Sequence, residues 1–129
     1  DRPAEWVTIE APYELEAAVR SVQPDTFLLV DCVTIWLSNR LVRGDDDREI
    51  EAASSQLVRG LVRHRGPLVV VSNEVGFGLV PPDPLSRRFR DAQGRLNQYL
   101  SDAADRSFLV VAGALLPLTP ALEIFPEIR

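Results

Sequence analysis

The chain has 129 residues, 46% of them hydrophobic and 26% charged, the balance of a single soluble globular domain with one core. No apolar run approaches the roughly 18 residues that a membrane span requires, and a net charge of −5 argues against nucleic acid or an anionic membrane surface as a general partner. The lone cysteine, Cys32, excludes an intrachain disulfide framework and a multi-cysteine zinc site, and it fits a reducing cytoplasm.

Taken in chain order, Val7–Glu10 reads as a short strand, and Pro12 suits the first turn of a helix running to about Val22. Gln23-Pro24-Asp25 breaks it. Phe27–Val33 is apolar enough for a central strand buried on both faces, interrupted by Asp31 near its carboxyl end. Thr34–Leu41 begins a helix. In the acidic turn Gly44-Asp45-Asp46-Asp47 the last aspartate is placed to cap the next helix, along which Ile50, Ala53, Leu57, Leu61 and Val62 recur at helical spacing. Gly66-Pro67 ends that helix and introduces a strand at Leu68–Val71. Leu85, Phe89, Ala92, Leu96, Tyr99, Leu100 and Ala103 mark a further amphipathic helix with Gly94 as a weak point inside it, and Phe108–Ala112 reads as another buried strand. Beyond Gly113 periodicity fades, and Pro117, Pro120 and Pro126 disfavour a long helix. The alternation predicts an α/β domain over 1–129, a mostly parallel sheet flanked by helices with right-handed crossovers.

Two absences bear on chemistry. All 14 basic residues are arginine, so there is no lysine for a Schiff base or a phosphate-binding P-loop, and no Walker A sequence occurs. The chain begins at Asp1 and contains no methionine, which reads as a processed or N-terminally incomplete product. The most distinctive stretch follows Leu68–Val71, where Ser72-Asn73-Glu74-Val75-Gly76-Phe77-Gly78-Leu79-Val80-Pro81 places polar groups at the carboxyl end of a strand. Open α/β sheets collect ligands at that edge. Gly76 and Gly78 permit positive φ or close backbone approach, while Pro81, Pro82 and Pro84 stiffen the loop that follows.

Further segments stand in one order along the chain: Arg2-Pro3-Ala4-Glu5-Trp6 with Thr8-Ile9-Glu10, then Leu29-Val30-Asp31-Cys32-Val33-Thr34-Ile35-Trp36-Leu37-Ser38-Asn39, Asn73-Glu74-Val75-Gly76 and Gly78-Leu79-Val80-Pro81. Phe89-Arg90-Asp91, Gly94-Arg95-Leu96-Asn97-Gln98 and Val110-Val111-Ala112-Gly113 complete the series, which covers nearly the whole chain. Each motif alone is weak; the ordered set is specific, and it resembles the adenosylcobinamide kinase/adenosylcobinamide-phosphate guanylyltransferase family of cobalamin biosynthesis.

The resemblance implies a P-loop-NTPase-like nucleotide-binding fold and two reactions: phosphorylation of adenosylcobinamide by ATP or GTP, then transfer of GMP from GTP to adenosylcobinamide phosphate through a guanylylated histidine. It also implies Mg²⁺, a cytoplasmic location and a homotrimer. In the family's order the P-loop, with its lysine, and the nucleophilic histidine precede the Arg-Pro-x-x-Trp segment, so both are expected upstream of Asp1 and the catalytic residue is not among these residues. Activity of the 129 residues alone is therefore expected to be impaired. A noncatalytic nucleotide-binding or protein-interaction module built on the same scaffold is the alternative of a different class.

Residue by residue, the resemblance implies nucleotide contacts at Arg2, Glu10 and Asp31. Guanine presents adjacent N–H donors that a carboxylate accepts, which suits Glu10; a solvated strand-end glutamate is its plain alternative. Asp31 follows an apolar strand where an isolated carboxylate is costly, so it either binds nucleotide or Mg²⁺ through water, or is satisfied by backbone donors of the next helix. Asn73 and Glu74 offer oxygen ligands to a hard cation or organise the cobinamide-phosphate side; equally, they cap the turn and form an ion pair. Gly76 and Gly78 shape the loop. Among Arg87, Arg88, Arg90 and Arg95, Arg90 is the preferred phosphate contact, with Asn97 supporting the same surface. His64 reads as a solvated helix-end histidine, Cys32 as a core residue, and Trp6 and Trp36 as packing residues.

Overall fold

A computed structural model describes residues 3–119. In chain order it contains α1 (Leu15–Ser21), β1 (Leu28–Asp31), α2 (Val33–Val42), α3 (Asp47–Arg63), β2 (Leu68–Val71), α4 (Pro84–Ala103), β3 (Ser107–Val111) and β4 (Ala114–Leu118). The class is α/β. β1 and β2 pair in parallel from Leu28↔Leu68 to Asp31↔Val71, whereas β3 and β4 form an antiparallel pair from Ser107↔Leu118 to Val111↔Ala114. No helix among the described residues is long and apolar enough to cross a membrane.

A parallel pair needs a crossover connection, and α2 and α3 provide it. Their inward residues, Val33, Trp36, Leu37 and Leu41 with Ile50, Ala53, Leu57 and Leu61, join Val30 of β1 and Ala92 and Leu96 of α4 in one core. The 3.6-residue period predicts the buried stripe of α3, except that Val62 is 63% exposed because it falls off that stripe. α4 continues unbroken through Gly94. Trp36 is buried and its Nε1 donates to the Tyr13 carbonyl at 2.8 Å, while Asn39 Nδ2 donates to the Pro12 carbonyl at 3.1 Å; the chain before α1 is thereby tied to α2.

Several expectations are corrected. Val7–Glu10 forms no strand and is exposed: its apolar residues find no strand to pair with among the described residues. The first helix is shorter than the predicted span, beginning at Leu15 rather than Pro12. The apolar run at Phe27–Val33 yields a strand of four residues, because the chain enters α2 at Val33 with Cys32 as its N-cap residue. Asp31 is accordingly exposed at the strand's end, and the desolvation argument for it does not apply. Asp46, not Asp47, caps α3: its Oδ1 accepts from Glu49 N at 2.9 Å while Glu49 Oε2 accepts from Asp46 N at 2.7 Å, a complete capping box.

The largest difference lies beyond α4. Phe108–Ala112 was expected to be buried, yet Phe108 is 47% and Val110 63% exposed, and the aperiodic segment after Gly113 forms β4. Ala112 and Gly113 sit at φ 50° and 76°, the positive angles that a two-residue type I′ hairpin turn needs at both central positions.

Candidate functional site

The parallel register ends β1 and β2 at one edge, with Asp31 beside Val71. Cys32-Val33-Thr34 leaves that edge into α2, and Ser72-Asn73-Glu74 leaves it toward α4. The sheet thus brings Asp31 and the Asn73-Glu74 pair to a common carboxyl edge, where open α/β folds place ligands.

The loop after β2 is held by side chains. Asn73 N donates to Thr34 Oγ1 at 2.9 Å, and the Asn73 carbonyl accepts from Asn97 Nδ2 at 3.1 Å. Glu74 Oε1 accepts from Gly76 N at 2.6 Å, folding the carboxylate back over its own turn. A Cβ at Gly76 would lie 2.7 Å from that oxygen, so a larger residue there would push the Glu74 carboxylate off its turn; neither Gly76 nor Gly78 adopts positive φ, and a Cβ at Gly78 would meet nothing within 4 Å. Beyond them Phe77, Leu79 and Val80 stand exposed. Asp83 ends the loop as N-cap of α4: its Oδ1 accepts from Ser86 N at 2.8 Å, and that bond holds its carboxyl below the usual carboxylate range.

The four arginines on α4 separate by partner. Arg87 Nη1 donates to the Pro81 and Pro82 carbonyls at 3.0 and 2.6 Å, clamping the proline loop. Arg88 donates to Asp47 Oδ1 at 2.9 Å and to the Asp45 carbonyl at 3.0 Å, and Arg95 lies 3.8 Å from Glu51. Among the described residues Arg90 reaches only its neighbour Asp91, at 3.3 to 3.4 Å. It also occupies the helical stripe of Gln93 and Asn97, at i+3 and i+7, both of which reach the end of β2.

Other expected residues are not brought in. Glu10 is exposed in irregular chain, and among the described residues no hydrogen bond or ion pair joins it to Asp31 or Glu74. Arg2 lies outside the described residues. His64 is the C-cap residue of α3, and its Nε2 is 2.8 Å from the Thr26 carbonyl, just before β1. That is the amino edge of the sheet. The four residues of β1 span about 13 Å, so this imidazole stands across the sheet from the Asn73-Glu74 loop.

No group of three or more His, Cys, Asp or Glu side chains among the described residues could hold a metal ion. Mg²⁺ commonly keeps waters and takes one or two carboxylates plus nucleotide phosphates, and the exposed carboxylate of Asp31 fits that mode.

Sequence reading missed Thr34 and Gln93. Gln93 did carry a signal: it falls beside Ala92 and three residues before Leu96, a polar side chain within an apolar helical stripe. Thr34 carried none, because its role depends on which loop the fold lays against it.

Comparison with known proteins matches residues 1–118 to the family described as cobinamide kinase / cobinamide phosphate guanyltransferase. The bifunctional adenosylcobalamin biosynthesis protein CobP of Pseudomonas aeruginosa is 41% identical over 118 residues, covering 91% of this chain and 68% of the relative. The bifunctional adenosylcobalamin biosynthesis proteins CobU of Salmonella typhimurium and Escherichia coli are 37% and 36% identical, each alignment covering 87% of this chain and 69% of the relative.

Proposed function

The chain belongs to the cobinamide kinase/cobinamide phosphate guanyltransferase family, and on that premise we propose that it serves phosphorylation of adenosylcobinamide and transfer of GMP from GTP to adenosylcobinamide phosphate. The observation that carries the reading is the convergence of Asp31 and Asn73-Glu74 at one carboxyl edge inside the matched region. Both transfers move a phosphorus centre whose oxygens gather negative charge, so catalysis consists largely of positioning and charge neutralisation.

Each residue then has a task. Asp31 faces the nucleotide, either directly or through an Mg²⁺ that arrives with it; when bound, that ion neutralises phosphate charge. Asn73 and the Glu74 oxygen not engaged by Gly76 hold the cobinamide-phosphate side, and Arg90 takes a phosphate oxygen. Glu10 accepts from the guanine N–H edge once substrate is present. ATP or GTP as phosphoryl donor, GTP as guanylyl donor, a cytoplasmic location and a homotrimer belong to the same reading, supported by family membership.

A histidine route to GMP transfer needs an imidazole at the carboxyl edge, and His64 stands at the other. The 129 residues also contain no lysine. We infer that they bind substrates without completing the transfer by themselves. The test supplies GTP and adenosylcobinamide phosphate to the protein expressed from its complete gene and to the 129-residue chain. GDP-cobinamide from the first, abolished or strongly reduced by Asp31→Asn, supports the reading; robust turnover by the second refutes the inference about the nucleophile. Nucleotide binding without transfer in both would favour a noncatalytic module.

A further inference from the structure

Packing does not account for Gln93. Its side chain is fully buried on α4, yet Oε1 has no hydrogen-bond partner among the described residues, a cost that a methionine of similar shape would avoid. What the glutamine contributes is its pair of N–H donors. Nε2 donates to Ser72 Oγ at 2.9 Å and to Asn97 Oδ1 at 2.8 Å, and Ser72 Oγ donates to the same Asn97 oxygen at 2.5 Å. With two donors meeting Oδ1, the Asn97 amide has one satisfactory orientation, which turns Nδ2 toward the Asn73 carbonyl 3.1 Å away. From a different helix, the buried Thr34 in the first turn of α2 accepts from Asn73 N at 2.9 Å. The two peptide planes flanking Asn73 are thereby held by two different helices.

We propose that Gln93 and Thr34 are positioning residues of the transfer site: Gln93 through Asn97, and Thr34 directly, fix the backbone of Asn73 and so set where the Asn73 amide and the Glu74 carboxylate meet substrate. This rests on the transfer reading above. It assigns the buried network to rate rather than to stability alone, because displacement of a positioning group by about 1 Å can cost up to about 100-fold.

The test uses the protein expressed from its complete gene. Thr34→Val removes the acceptor at nearly constant volume and Thr34→Ser retains it; Gln93→Met removes the donors together with the bare acceptor. Thr34→Val and Gln93→Met are expected to lower kcat for GMP transfer at least about tenfold with KM for GTP changed less than about twofold, and Thr34→Ser to restore kcat. A purely structural glutamine would instead let Gln93→Met transfer at the wild-type rate, and that result overturns the proposal. Hydrogen exchange supplies an arm independent of activity. Asn73 N–H should be protected in the wild type and exchange faster in Thr34→Val, with the β1 and β2 amides unchanged. Wild-type exchange at Asn73 as fast as at Phe77 overturns the clamp. Protection at Asn73 that Thr34→Val releases, in a wild type without transfer activity, supports the clamp and overturns the transfer reading. If Thr34→Val does not fold, Gln93→Met decides on kcat and on Asn73 exchange.

Discussion

The two strand pairs are built from similar letters and end in opposite environments. β1 and β2 read Leu-Leu-Val-Asp and Leu-Val-Val-Val; β3 and β4 read Ser-Phe-Leu-Val-Val and Ala-Leu-Leu-Pro-Leu. In the first pair Val30 is buried, and Leu28, Leu68 and Val70 pack against the core. In the second, Phe108, Val110, Leu115 and Leu116 are between 47% and 65% exposed. Connection explains the difference. Parallel strands cannot be joined by a tight turn, so their crossover helices arrive as cover, whereas two residues close the β3–β4 hairpin and bring nothing with them. Even in the covered pair, Val69 and Val71 point the other way and stay exposed. Burial is thus a property of what the chain does between strands, and apolar composition alone does not decide it.

The sharpest test of that contrast is a matched pair of truncations. Leu57 is fully buried on α3, and Leu57→Ala should lower stability to urea by about 3 kcal/mol, combining lost transfer energy with a cavity. Leu115→Ala, on a residue 65% exposed, should change it by less than about 0.5 kcal/mol. Comparable losses at the two sites would break the comparison.

A smaller effect is expected at the turn between α2 and α3. Asp45 is buried there; its carboxylate accepts from Arg43 Nε at 2.5 Å and Nη2 at 3.0 Å, and Arg40 Nη2 lies 2.7 Å from it. Arg88 of α4 donates to the Asp45 carbonyl, so the turn is fastened to the helix that carries Gln93 and Asn97. The Arg43 hydrogen bond, aided by the Arg40 and Arg43 charges, holds the Asp45 carboxyl below its usual range despite burial. A carboxyl lowered on folding contributes its stability above the unfolded value and loses it as pH falls through the folded one. Asp45→Asn should therefore cost about 2 kcal/mol near pH 7, less than a fully buried pair because Arg43 is partly exposed. The gap between wild type and variant should close only below about pH 4. Urea titrations of both proteins from neutral to acid pH measure it, and a gap that persists undiminished at pH 3 would refute the assignment.

What was legible in the sequence follows the same division. Leu68–Val71 forms a strand over the predicted residues, although Val69 and Val71 are exposed, and the middle of the α3 and α4 stripes packs inward where the period places it, with Val62, Leu85 and Ala103 left exposed; helical spacing is local information. The cap of α3 was misassigned to Asp47, which is the first residue of the helix; Asp46-Asp47-Arg48-Glu49 spells a capping box whose first member is Asp46. The exposure of Phe108 and the strand at Leu115-Leu116-Pro117 were not legible, since both depend on nonlocal cover and pairing; Pro117 sits in β4 opposite Phe108 despite its lack of a donor. The loop after β2 divides likewise. The place of Asn73-Glu74 after a strand and the polar Gln93 within an apolar stripe can both be read locally, while the contact of Thr34 with Asn73 exists only once α2 lies against that loop.

The smallest predicted effect concerns the exposed hairpin of β3 and β4. Ala112 holds φ 50° in the hairpin turn, a left-handed conformation in which its Cβ is disfavoured and asparagine is better tolerated. Asn-Gly is also the dipeptide preferred in type I′ turns. Ala112→Asn should stabilise the hairpin by about 0.5 kcal/mol, seen as roughly twofold slower hydrogen exchange of the β3 and β4 amides. The β1 and β2 amides should not respond, because the strain relieved is local to the turn. Slowing in both pairs would show that the hairpin and the covered core unfold as one unit, and the contrast between them would then describe exposure without describing cooperativity.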